Sequence, residues 1–292
     1  MDTISHNFLE MKSYKIAILL ATYNSAEFVR EQLDSLFSQT NQEWVLYVRD
    51  DCSTDETISI IHDYQKKYEG RVVIVDNKGK SLRAYLNFVE LLKAVEADYY
   101  FFCDHDDVWL PEKIQLSMDR MLELEHNNYD RPIVVHTDMK VVDQDLNIIC
   151  DSFWEYSRLL PEKTSFLEMV LCNSANGCAM LFNKKAKEVA LPNVANATMH
   201  DMLVNQSVSA ENGIISPIYQ PAVLYRQHVD NVIGAQKRNL FFQLKRFFNL
   251  KYLFKANVDN WKKTRNIKDY SLAEYIWVKF KIMIYKVQKY YK

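Results

Sequence analysis

Glycine and proline are scarce in this sequence, with five Gly and six Pro among 292 residues. A loop that wraps a phosphate with its backbone amides needs several glycines close together, and the five here are widely spaced. No low-complexity linker and no internal repeat is evident. A glycine-rich phosphate loop and a disordered or fibrous chain are therefore excluded, while 48% hydrophobic side chains suffice for one large core.

The sequence also lacks cysteine pairs and long apolar runs. Its five cysteines form no CxxC pair, and their odd number favours free thiols in a reducing compartment. No run approaches the ~20 apolar residues that span a bilayer. The first residues, Met1 to His6, have neither the basic nor the apolar region of a secretory signal. These absences predict a cytoplasmic protein.

The net charge of -2 conceals a strong asymmetry along the chain. Residues 237–292 contain 15 Lys/Arg against three Asp/Glu, so the rest of the chain is acidic. Aromatic rings are interleaved with these cations, which favours a segment that lies on an anionic membrane surface. The alternative is a pair of ordinary helices that pack on the rest of the protein with lysines outside. Nucleic acid is not expected as a partner, because the acidic part of the chain would repel it. The rings that alternate with lysine and arginine include Phe241, Phe242, Phe247, Phe248, Tyr252 and Phe254, and Trp261, Trp277, Tyr290 and Tyr291 follow them.

The first hundred residues alternate between short apolar runs and longer amphipathic stretches, a pattern typical of a parallel sheet with crossover helices. Ser53 and Glu56 have the spacing of a capping box for the second helix, and Pro111 favours a further helix after it. The predicted strands cover residues 15–21, 44–50, 71–75, 98–103, 133–142 and 177–182. The predicted helices cover residues 26–38, 54–67, 82–95, 165–172 and 200–210.

Polar and acidic residues follow three of the predicted strands, in the segments 22–24, 50–55 and 104–107. Ligands of doubly wound sheets bind at the carboxyl ends of the strands, so we expect these segments to meet in one site. The three carboxylates within residues 104–107 repel one another. A hard divalent cation, Mg²⁺ or Mn²⁺, that bridges them to a diphosphate would compensate this repulsion. The alternative is an acidic turn exposed to solvent.

The order and spacing of these segments resemble those of family 2 glycosyltransferases with a GT-A fold. The similarity lies in residues 19–24, 50–55 and 103–113, extends over roughly residues 14–235, and is closest to the rhamnosyltransferase-like branch. It implies an α/β fold of the GT-A nucleotide-diphospho-sugar transferase type, with a mostly parallel, Rossmann-like sheet flanked by helices. A C-terminal helical extension would follow this fold.

The resemblance also implies a division of the chain. Residues 1–236 would form the catalytic domain, with a nucleotide-binding half at about 14–110 and an acceptor half at about 111–236. Residues 237–292 would form the basic, aromatic helical tail.

Several residues resemble the family's contacts to a nucleotide-diphosphate sugar. Asp51 would accept a hydrogen bond from N3–H of a pyrimidine base, in a pocket lined by Ala21 and Tyr23. Asp104 would lie near the ribose and the sugar, next to His105. Arg83 is a candidate for contact with the diphosphate, and a solvent-exposed helix charge is its alternative.

Asp106 and His228 are the residues that the resemblance places at the metal. Asp106 would ligate Mg²⁺ or Mn²⁺, while Asp107 would orient the loop. His228, in a late segment that also resembles the family, would complete the metal shell or contact phosphate, with Arg226 or Gln227 in support. A structural histidine is the alternative.

Asp201 resembles the catalytic base of the family, within the pair His200-Asp201. A carboxylate opposite the leaving diphosphate can take the proton of the acceptor hydroxyl during attack, which gives inversion in one displacement. The alternative is an acidic residue that stabilises a helix N-terminus.

Three positions depart from the family pattern. Cys52 stands where glycine is usual, His105 where glutamine is frequent in the rhamnosyltransferase-like branch, and Met202 where an aromatic residue often follows the base. Because of these departures, the resemblance indicates the reaction class but does not identify the donor sugar or the acceptor.

The sequence as a whole predicts a metal-dependent inverting glycosyltransferase. The favoured donor is dTDP-rhamnose, with a UDP-sugar as the alternative, and the acceptor is a saccharide, for which a lipid-linked form is one candidate. We expect the enzyme to act in cell-surface or extracellular polysaccharide synthesis, at the inner face of the cell membrane. The other functions considered are a nucleotidyltransferase and an inactive, saccharide-binding relative.

Overall fold

The computed structural model describes residues 14–228 and 250–290. In its first hundred residues every predicted strand and helix is present, with ends that differ from the prediction by three residues or fewer. In chain order these elements are β1 Ile16–Thr22, α1 Val29–Phe37, β2 Val45–Asp50, α2 Thr57–Lys67, β3 Val72–Ile74, α3 Arg83–Ala94 and β4 Tyr99–Cys103.

The predicted capping box at the start of α2 is wrong. The helix begins at Thr57, and Glu56 is its N-cap residue, without a side-chain cap. The Ser53 hydroxyl instead donates to the Asp50 carboxylate at 2.5 Å, and Asp55 accepts a hydrogen bond from the Thr57 backbone N–H at 3.0 Å. Side chains from both ends of this loop therefore fix the connection that leads out of β2.

The first four strands are parallel and lie in the order β3-β2-β1-β4. All seven residues of β1 are buried, as expected for a parallel strand that is covered on both faces. Successive side chains of a strand point to opposite faces, so Ile18 packs in the core that contains α1 and α2, and Leu19 in the core that contains α3.

The second half of the chain extends this sheet with mixed strand directions. Beyond β4 the order is β8-β6-β9-β5; β8 is antiparallel to both of its neighbours, and β9 is parallel to β6. The predicted helix after Pro111 is confirmed as α4, and the strand expected at 177–182 starts only at Met180, because residues 177–179 form a 3₁₀ turn. The elements are β5 Val108–Trp109, α4 Lys113–His126, β6 Ile133–Val142, β7 Ile148–Cys150, α5 Phe153–Tyr156, α6 Phe166–Leu171, β8 Met180–Asn183, α7 Lys184–Ala190, α8 His200–Ala210 and β9 Ile214–Arg226.

Two helices lie in the C-terminal part that the structure describes, α9 Leu250–Thr264 and α10 Leu272–Tyr290. The α10 residue Tyr275 is buried in a small cluster with Phe166 and Val170 of α6, and Ile282 reaches the main core. Within the described ranges, every helix is too short or too polar to cross a membrane. The predicted boundary at 236/237 and the aromatic rings at 241–248 lie outside the described residues.

Candidate active site

A cleft of about 780 Å³ lies at the carboxyl ends of β1, β2 and β4. The 3₁₀ turn before β8 and the first residues of α8 line it as well. The topology thus collects side chains that are far apart in the sequence. All nine residues that the sequence analysis placed in a site line this cleft, namely Ala21, Tyr23, Asp51, Arg83, Asp104, His105, Asp106, Asp201 and His228.

Asp51, which directly follows β2, accepts four hydrogen bonds from within the protein. Its Oδ1 accepts from the Leu82 backbone N–H at 2.7 Å and from Arg49 Nη1 at 3.3 Å. Its Oδ2 accepts from Ser81 Oγ at 2.7 Å and from the Arg83 backbone N–H at 2.8 Å. Burial raises the pKa of Asp51, but these hydrogen bonds outweigh burial and hold the pKa below its usual value. The group is therefore an anion at neutral pH.

Arg49 is a buried cation that pairs with Asp51. Its Nη1 also donates to Asn87 Oδ1 at 2.6 Å, and its Nη2 donates to the backbone oxygen of Lys80 at 3.2 Å. The guanidinium thereby connects β2 to α3 and to the segment before α3. It also compensates the buried charge of Asp51, which would be costly without a partner.

The acidic turn between β4 and β5 is not exposed to solvent, so that alternative is wrong. Asp107 is fully buried, and Asp104 and Asp106 are half-buried. Asp107 Oδ1 accepts from the Arg226 backbone N–H at 3.1 Å, and the Cys178 thiol lies next to the carboxylate. Burial, followed by the charges of Asp106 and Asp104, raises the pKa of Asp107 well above its usual value.

Asp104 shares the electrostatic environment of this turn. Burial raises its pKa to about 7, with further contributions from the charges of Asp106 and Asp201. In the same turn, Asp106 Oδ2 lies 2.9 Å from His228 Nε2. Asp106 and Asp201 therefore lie close enough to Asp104 for their charges to raise its pKa, and His228 pairs with Asp106.

The donor set suits a divalent cation. A carboxylate and an imidazole meet in the Asp106–His228 pair. Burial first, and then the charges of neighbouring acids, raise the pKa of Asp104 and Asp107, and a bound cation would relieve the second of these effects. A second group of possible ligands consists of Asp104, Asp107 and Cys178, whose ligand atoms lie within 4.8 Å of one another. Burial raises the pKa of the Cys178 thiol well above its usual value, and a protonated thiol is a poor ligand for a hard cation. Asp106 and His228 are the better candidates.

Arg226, at the end of β9, ties the acidic turn to another loop and to α1. Its Nε donates to the backbone oxygen of Asp106 at 2.8 Å, and its Nη1 donates to the backbone oxygen of Gln144 at 2.6 Å. Its Nη2 pairs with the carboxylate of Glu31 on α1. Since the side chain is buried and makes a hydrogen bond with each nitrogen, it fixes the backbone on which Asp106 is mounted.

Asp201 lies in the first turn of α8. Its Oδ1 accepts from the Met202 backbone N–H at 2.7 Å, and its Oδ2 accepts from Asn173 Nδ2 at 3.0 Å. Asn205, one turn further along α8, donates to Asn173 Oδ1 at 3.0 Å. Burial raises the pKa of Asp201 to about 6, against the lowering effect of its hydrogen bonds. A carboxyl group with this pKa can take a proton near neutral pH.

His200 forms the wall beside Asp201. Its ring lies 3.9 Å from the Phe88 ring and 4.7 Å from the Phe102 ring, measured between centroids. Neither ring nitrogen finds a hydrogen-bond partner among the described residues, and burial lowers the pKa of His200 to about 3. A Cβ at Gly177 would lie 2.2 Å from His200 Nε2, so the turn before β8 packs directly on this ring.

Arg83 and His105 lie at the rim of the cleft between these groups. Arg83 has φ +63°, in the left-handed region, and its backbone N–H is bound to Asp51. His105 Nδ1 lies 3.4 Å from the backbone oxygen of Ala21. Both side chains line the cleft, as expected from the sequence.

The sequence model of the family "Glycosyl transferase family 2" matches residues 17–189, more than half of the chain. The chain belongs to this family. It is a glycosyltransferase, and its likeness to the rhamnosyltransferase-like branch is supported by a relative described as "dTDP-rhamnosyl transferase RfbG" from Shigella flexneri. The two are 26% identical over 239 residues, which cover 77% of this chain and 76% of RfbG. The "Putative glycosyltransferase EpsE" of Bacillus subtilis is 33% identical over 131 residues, 44% of this chain and 45% of EpsE.

Solved structures confirm the predicted fold class. A TarS fragment from S. aureus, in complex with UDP-GlcNAc, has a TM-score of 0.58 over 94% of this chain and 73% of that fragment, at 17% identity. The α/β transferase fold with helices on both sides of the sheet is therefore shared. Relative to the prediction, the sheet of this glycosyltransferase is parallel from β3 to β4 and mixed beyond.

The position of Cys52 explains one departure from the family pattern. Its φ of +67° lies in the left-handed region, where an L-residue costs roughly 1–2 kcal/mol and glycine does not. The loop in this family member keeps that conformation without glycine, because Ser53 and Asp50 hold it by side-chain hydrogen bonds.

The residues that support the site were missed by sequence reasoning. Arg49 and Asn173 donate hydrogen bonds to the site residues Asp51 and Asp201, and they contact Asn87 and Asn205 in turn. None of these four supporting residues lies in a motif that the sequence analysis used. A polar residue inside an apolar strand, as Arg49 is in β2, was the one signal present in the sequence. The asparagines carry no such signal, because their partners lie 28 to 38 residues away.

Proposed function

We propose that this glycosyltransferase transfers a sugar, with inversion, from a nucleotide-diphosphate donor to a saccharide acceptor in polysaccharide synthesis. The observation that carries the proposal is the shared cleft, in which Asp51, the Asp106–His228 pair and Asp201 face a single space. dTDP-rhamnose is the donor we favour, since RfbG is described as a dTDP-rhamnosyl transferase. A UDP-sugar is the alternative, since TarS was solved with UDP-GlcNAc.

The donor would lie along the strand ends. In this proposal Asp51 accepts the base N3–H, Ala21 and Tyr23 flank the base, and Asp104 and His105 lie beside the ribose and the sugar. Arg83, which lines the same cleft, contacts the diphosphate. Tyr23 is 53% exposed, so its ring is free to stack on a base without displacing a neighbour.

Asp106 and His228 would hold Mg²⁺ or Mn²⁺. When bound, this cation supplies neutralising charge for the diphosphate that leaves. The contribution of the chain is to keep the two ligands 2.9 Å apart and to anchor their backbone through Arg226.

Asp201 would act as the catalytic base. The acceptor oxygen attacks the anomeric carbon and its proton passes to an oxygen of Asp201, while the bond from that carbon to the diphosphate oxygen breaks. The nucleoside diphosphate leaves with the bonding electron pair, and one displacement inverts the anomeric centre. Asn173 holds the carboxylate in position for this transfer.

We further propose that the enzyme works in the cytoplasm at the inner face of the cell membrane. Its basic C-terminal segment supports attraction to anionic lipid. A lipid-linked saccharide would then be presented to the cleft from that surface.

A transfer assay with purified protein tests the proposal. Donors would be dTDP-rhamnose and UDP-sugars, each with Mg²⁺, with Mn²⁺ and with chelator, and products would be resolved by mass. We expect a glycosylated acceptor and free nucleoside diphosphate with one donor, and Asp106→Ala should lose metal-dependent transfer. Full metal-dependent transfer by Asp106→Ala would contradict the metal site, and a product that carries the nucleotide would indicate a nucleotidyltransferase instead.

A further inference from the structure

The helix α10 has two apolar faces, and only one of them packs on the protein. On the packed face, Tyr275 and Ile282 are buried, and the hydroxyl of Tyr290 donates to the backbone oxygen of Leu159 at 2.6 Å. The other face carries six large apolar side chains that are each between 40% and 56% exposed, namely Ile276, Trp277, Phe280, Met283, Ile284 and Val287.

The six exposed side chains form one continuous stripe. They are separated by intervals of one, three and four residues, which places them along one side of an α-helix. The expected alternative for this segment was a helix packed on the domain with lysines outside. α10 does pack on the domain and its lysines are exposed, but apolar residues occupy part of the outer face as well. Single exposed apolar residues are common on soluble proteins, but a contiguous stripe of this kind marks an interaction surface.

Lysines border the stripe on both sides. Lys279 and Lys286, seven residues apart, lie along one edge, and Lys281 lies along the other, with its Nζ 5.1 Å from the centre of the Trp277 ring. The long aliphatic parts of these side chains can lie along apolar surface while the charges remain at a polar boundary. This is the arrangement of a helix that lies in the headgroup region of a bilayer.

We propose that the exposed face of α10 is a docking surface for an anionic phospholipid membrane. The charge pattern favours lipid over a second copy of the chain, because pairing two such faces would bring the lysine borders of both copies together. An acidic headgroup layer neutralises the same lysines. This inference rests on the membrane part of the proposed function and is independent of the transfer chemistry of the cleft.

Trp277 provides a direct measurement of docking. All five tryptophans lie in described residues, and Trp277 is exposed whereas the other four are buried or half-buried. The full chain, without donor or acceptor, would be mixed with vesicles of phosphatidylcholine alone or with added phosphatidylglycerol. We expect co-sedimentation and a blue shift of emission with the anionic vesicles, both weakened by salt. Trp277→Phe should bind with little shift, which assigns the signal to this ring.

Two variants and one control separate the contribution of the apolar side chains to vesicle binding from that of the lysines. Replacement of Trp277, Phe280 and Ile284 by serine should weaken vesicle binding by at least about tenfold, equivalent to about 1.4 kcal/mol. A Lys281→Glu/Lys286→Glu variant, which keeps the apolar face, should lose the preference for anionic vesicles. Tyr129→Ser, which removes an 85% exposed ring elsewhere on the surface, should bind like the unaltered protein.

Three results would overturn the docking surface. Unchanged binding of the triple serine variant would place the membrane contact elsewhere. A dimer that becomes a monomer in that variant, without vesicle binding by the parent, would assign the face to a second copy. Emission of Trp277 that is already blue-shifted and shielded from quencher without vesicles would mean that other residues of this chain cover it. Transfer to a soluble saccharide, measured in parallel, should persist in the variants, so that failure of docking is distinguishable from failure of the proposed chemistry.

Discussion

Asn173 donates its side-chain amide to Asp201 at 3.0 Å and in turn accepts from Asn205 at 3.0 Å. Asn173, which lies outside α8, thus holds the proposed base Asp201. Asn205, one turn further along α8, holds Asn173 in its turn. Asp201 and Asn173 therefore keep a fixed orientation relative to the cleft as long as α8 is intact.

The first prediction concerns Asn173→Ala. The Asn173 hydrogen bond lowers the pKa of Asp201, whose value is about 6, so its removal should raise that pKa, by about one unit for a bond to a charged group. A base acts when deprotonated. The acidic limb of kcat/KM against pH should therefore move to higher pH, while activity on the alkaline plateau falls much less.

Two further variants test this interpretation. Asn205→Ala, which removes the support of Asn173, should shift the limb in the same direction by a smaller amount. Asp201→Asn should abolish turnover at every pH and still bind donor. A uniform loss of kcat in Asn173→Ala, with no movement of the limb, would reduce Asn173 to a structural role.

The second prediction concerns Gly177→Ala. The added methyl group would lie 2.2 Å from His200 Nε2, and the ring cannot withdraw because Phe88 and Phe102 pack against it. Overpacking of this kind costs about 1–3 kcal/mol, and displacement of His200 should also reduce kcat through its neighbour Asp201. Denaturant unfolding and steady-state kinetics measure the two effects.

A matched glycine provides the control for that change. Gly70, at φ +77° and with no atom within 4 Å of its added Cβ, precedes β3 and does not line the cleft. Gly70→Ala should lose some stability from backbone strain and keep kcat. The double variant Gly177→Ala/His200→Ala completes the test. If its loss of unfolding free energy equalled the sum of the losses in the two single variants, there would be no clash between the two positions.

The third prediction concerns acid sensitivity. Burial lowers the pKa of both His136 and His200 to about 3, and the reference value for an unfolded chain is about 6.5. Between these values the unfolded chain binds more protons, so stability is complete above about pH 6.5 and falls with decreasing pH. Each histidine should contribute a slope of up to about 1.4 kcal/mol per pH unit to the free energy of unfolding.

Replacement of one histidine isolates this slope. His136→Leu, at a position that does not line the cleft, should flatten the dependence of unfolding free energy on pH between about 6 and 4. His62, exposed on α2, is the control, and His62→Ala should leave the slope unchanged. Parallel curves for His136→Leu and the parent would contradict a buried, neutral His136.

The fourth prediction concerns Asp51→Asn. An amide cannot accept all four donors of the carboxylate, so the segment from Ser81 to Arg83 should loosen and donor binding should weaken. Loss of a charge-assisted network of this size costs about 1.5–3 kcal/mol or more. Titration calorimetry with the nucleoside diphosphate measures binding, and unfolding measures stability.

Asp55→Asn is the matched control for stability. Asp55 also accepts several hydrogen bonds, from Ala26 and Thr57, but it does not line the cleft. We expect a comparable loss of stability with donor affinity preserved. Equal losses of affinity in both variants would mean that loop order, rather than the Asp51 contact, controls donor binding.

The parallel half of the fold could be predicted because its strands are buried on both faces and its helices are amphipathic. The acids of the site could be predicted because strand ends in such a sheet meet at one edge. Strand β9 could not be predicted from the sequence, because Pro217 and Pro221 lie within it and proline argues against a central strand. Register shifts in its partner β6 accommodate these residues, and nothing local in the sequence reports such irregular pairing.

The roles of the site residues were predicted from resemblance, and their mutual geometry was not. Spacing alone does not reveal that His228 reaches Asp106 or that Arg226 holds the backbone of the same turn. These contacts depend on how β9 returns to β5, which is a property of the tertiary structure.

The saturation of Asp51 by protein donors has a consequence for how a base is recognised. A carboxylate accommodates about four hydrogen bonds, so in the proposed donor pose a pyrimidine would exchange with one of the four rather than fill a vacant position. Ser81 is the donor whose hydroxyl can rotate away without moving the main chain. If Asp51 binds the base as proposed, the hydrogen bond gained would nearly equal the one given up, and most of the affinity for the nucleotide would come from other residues of the cleft.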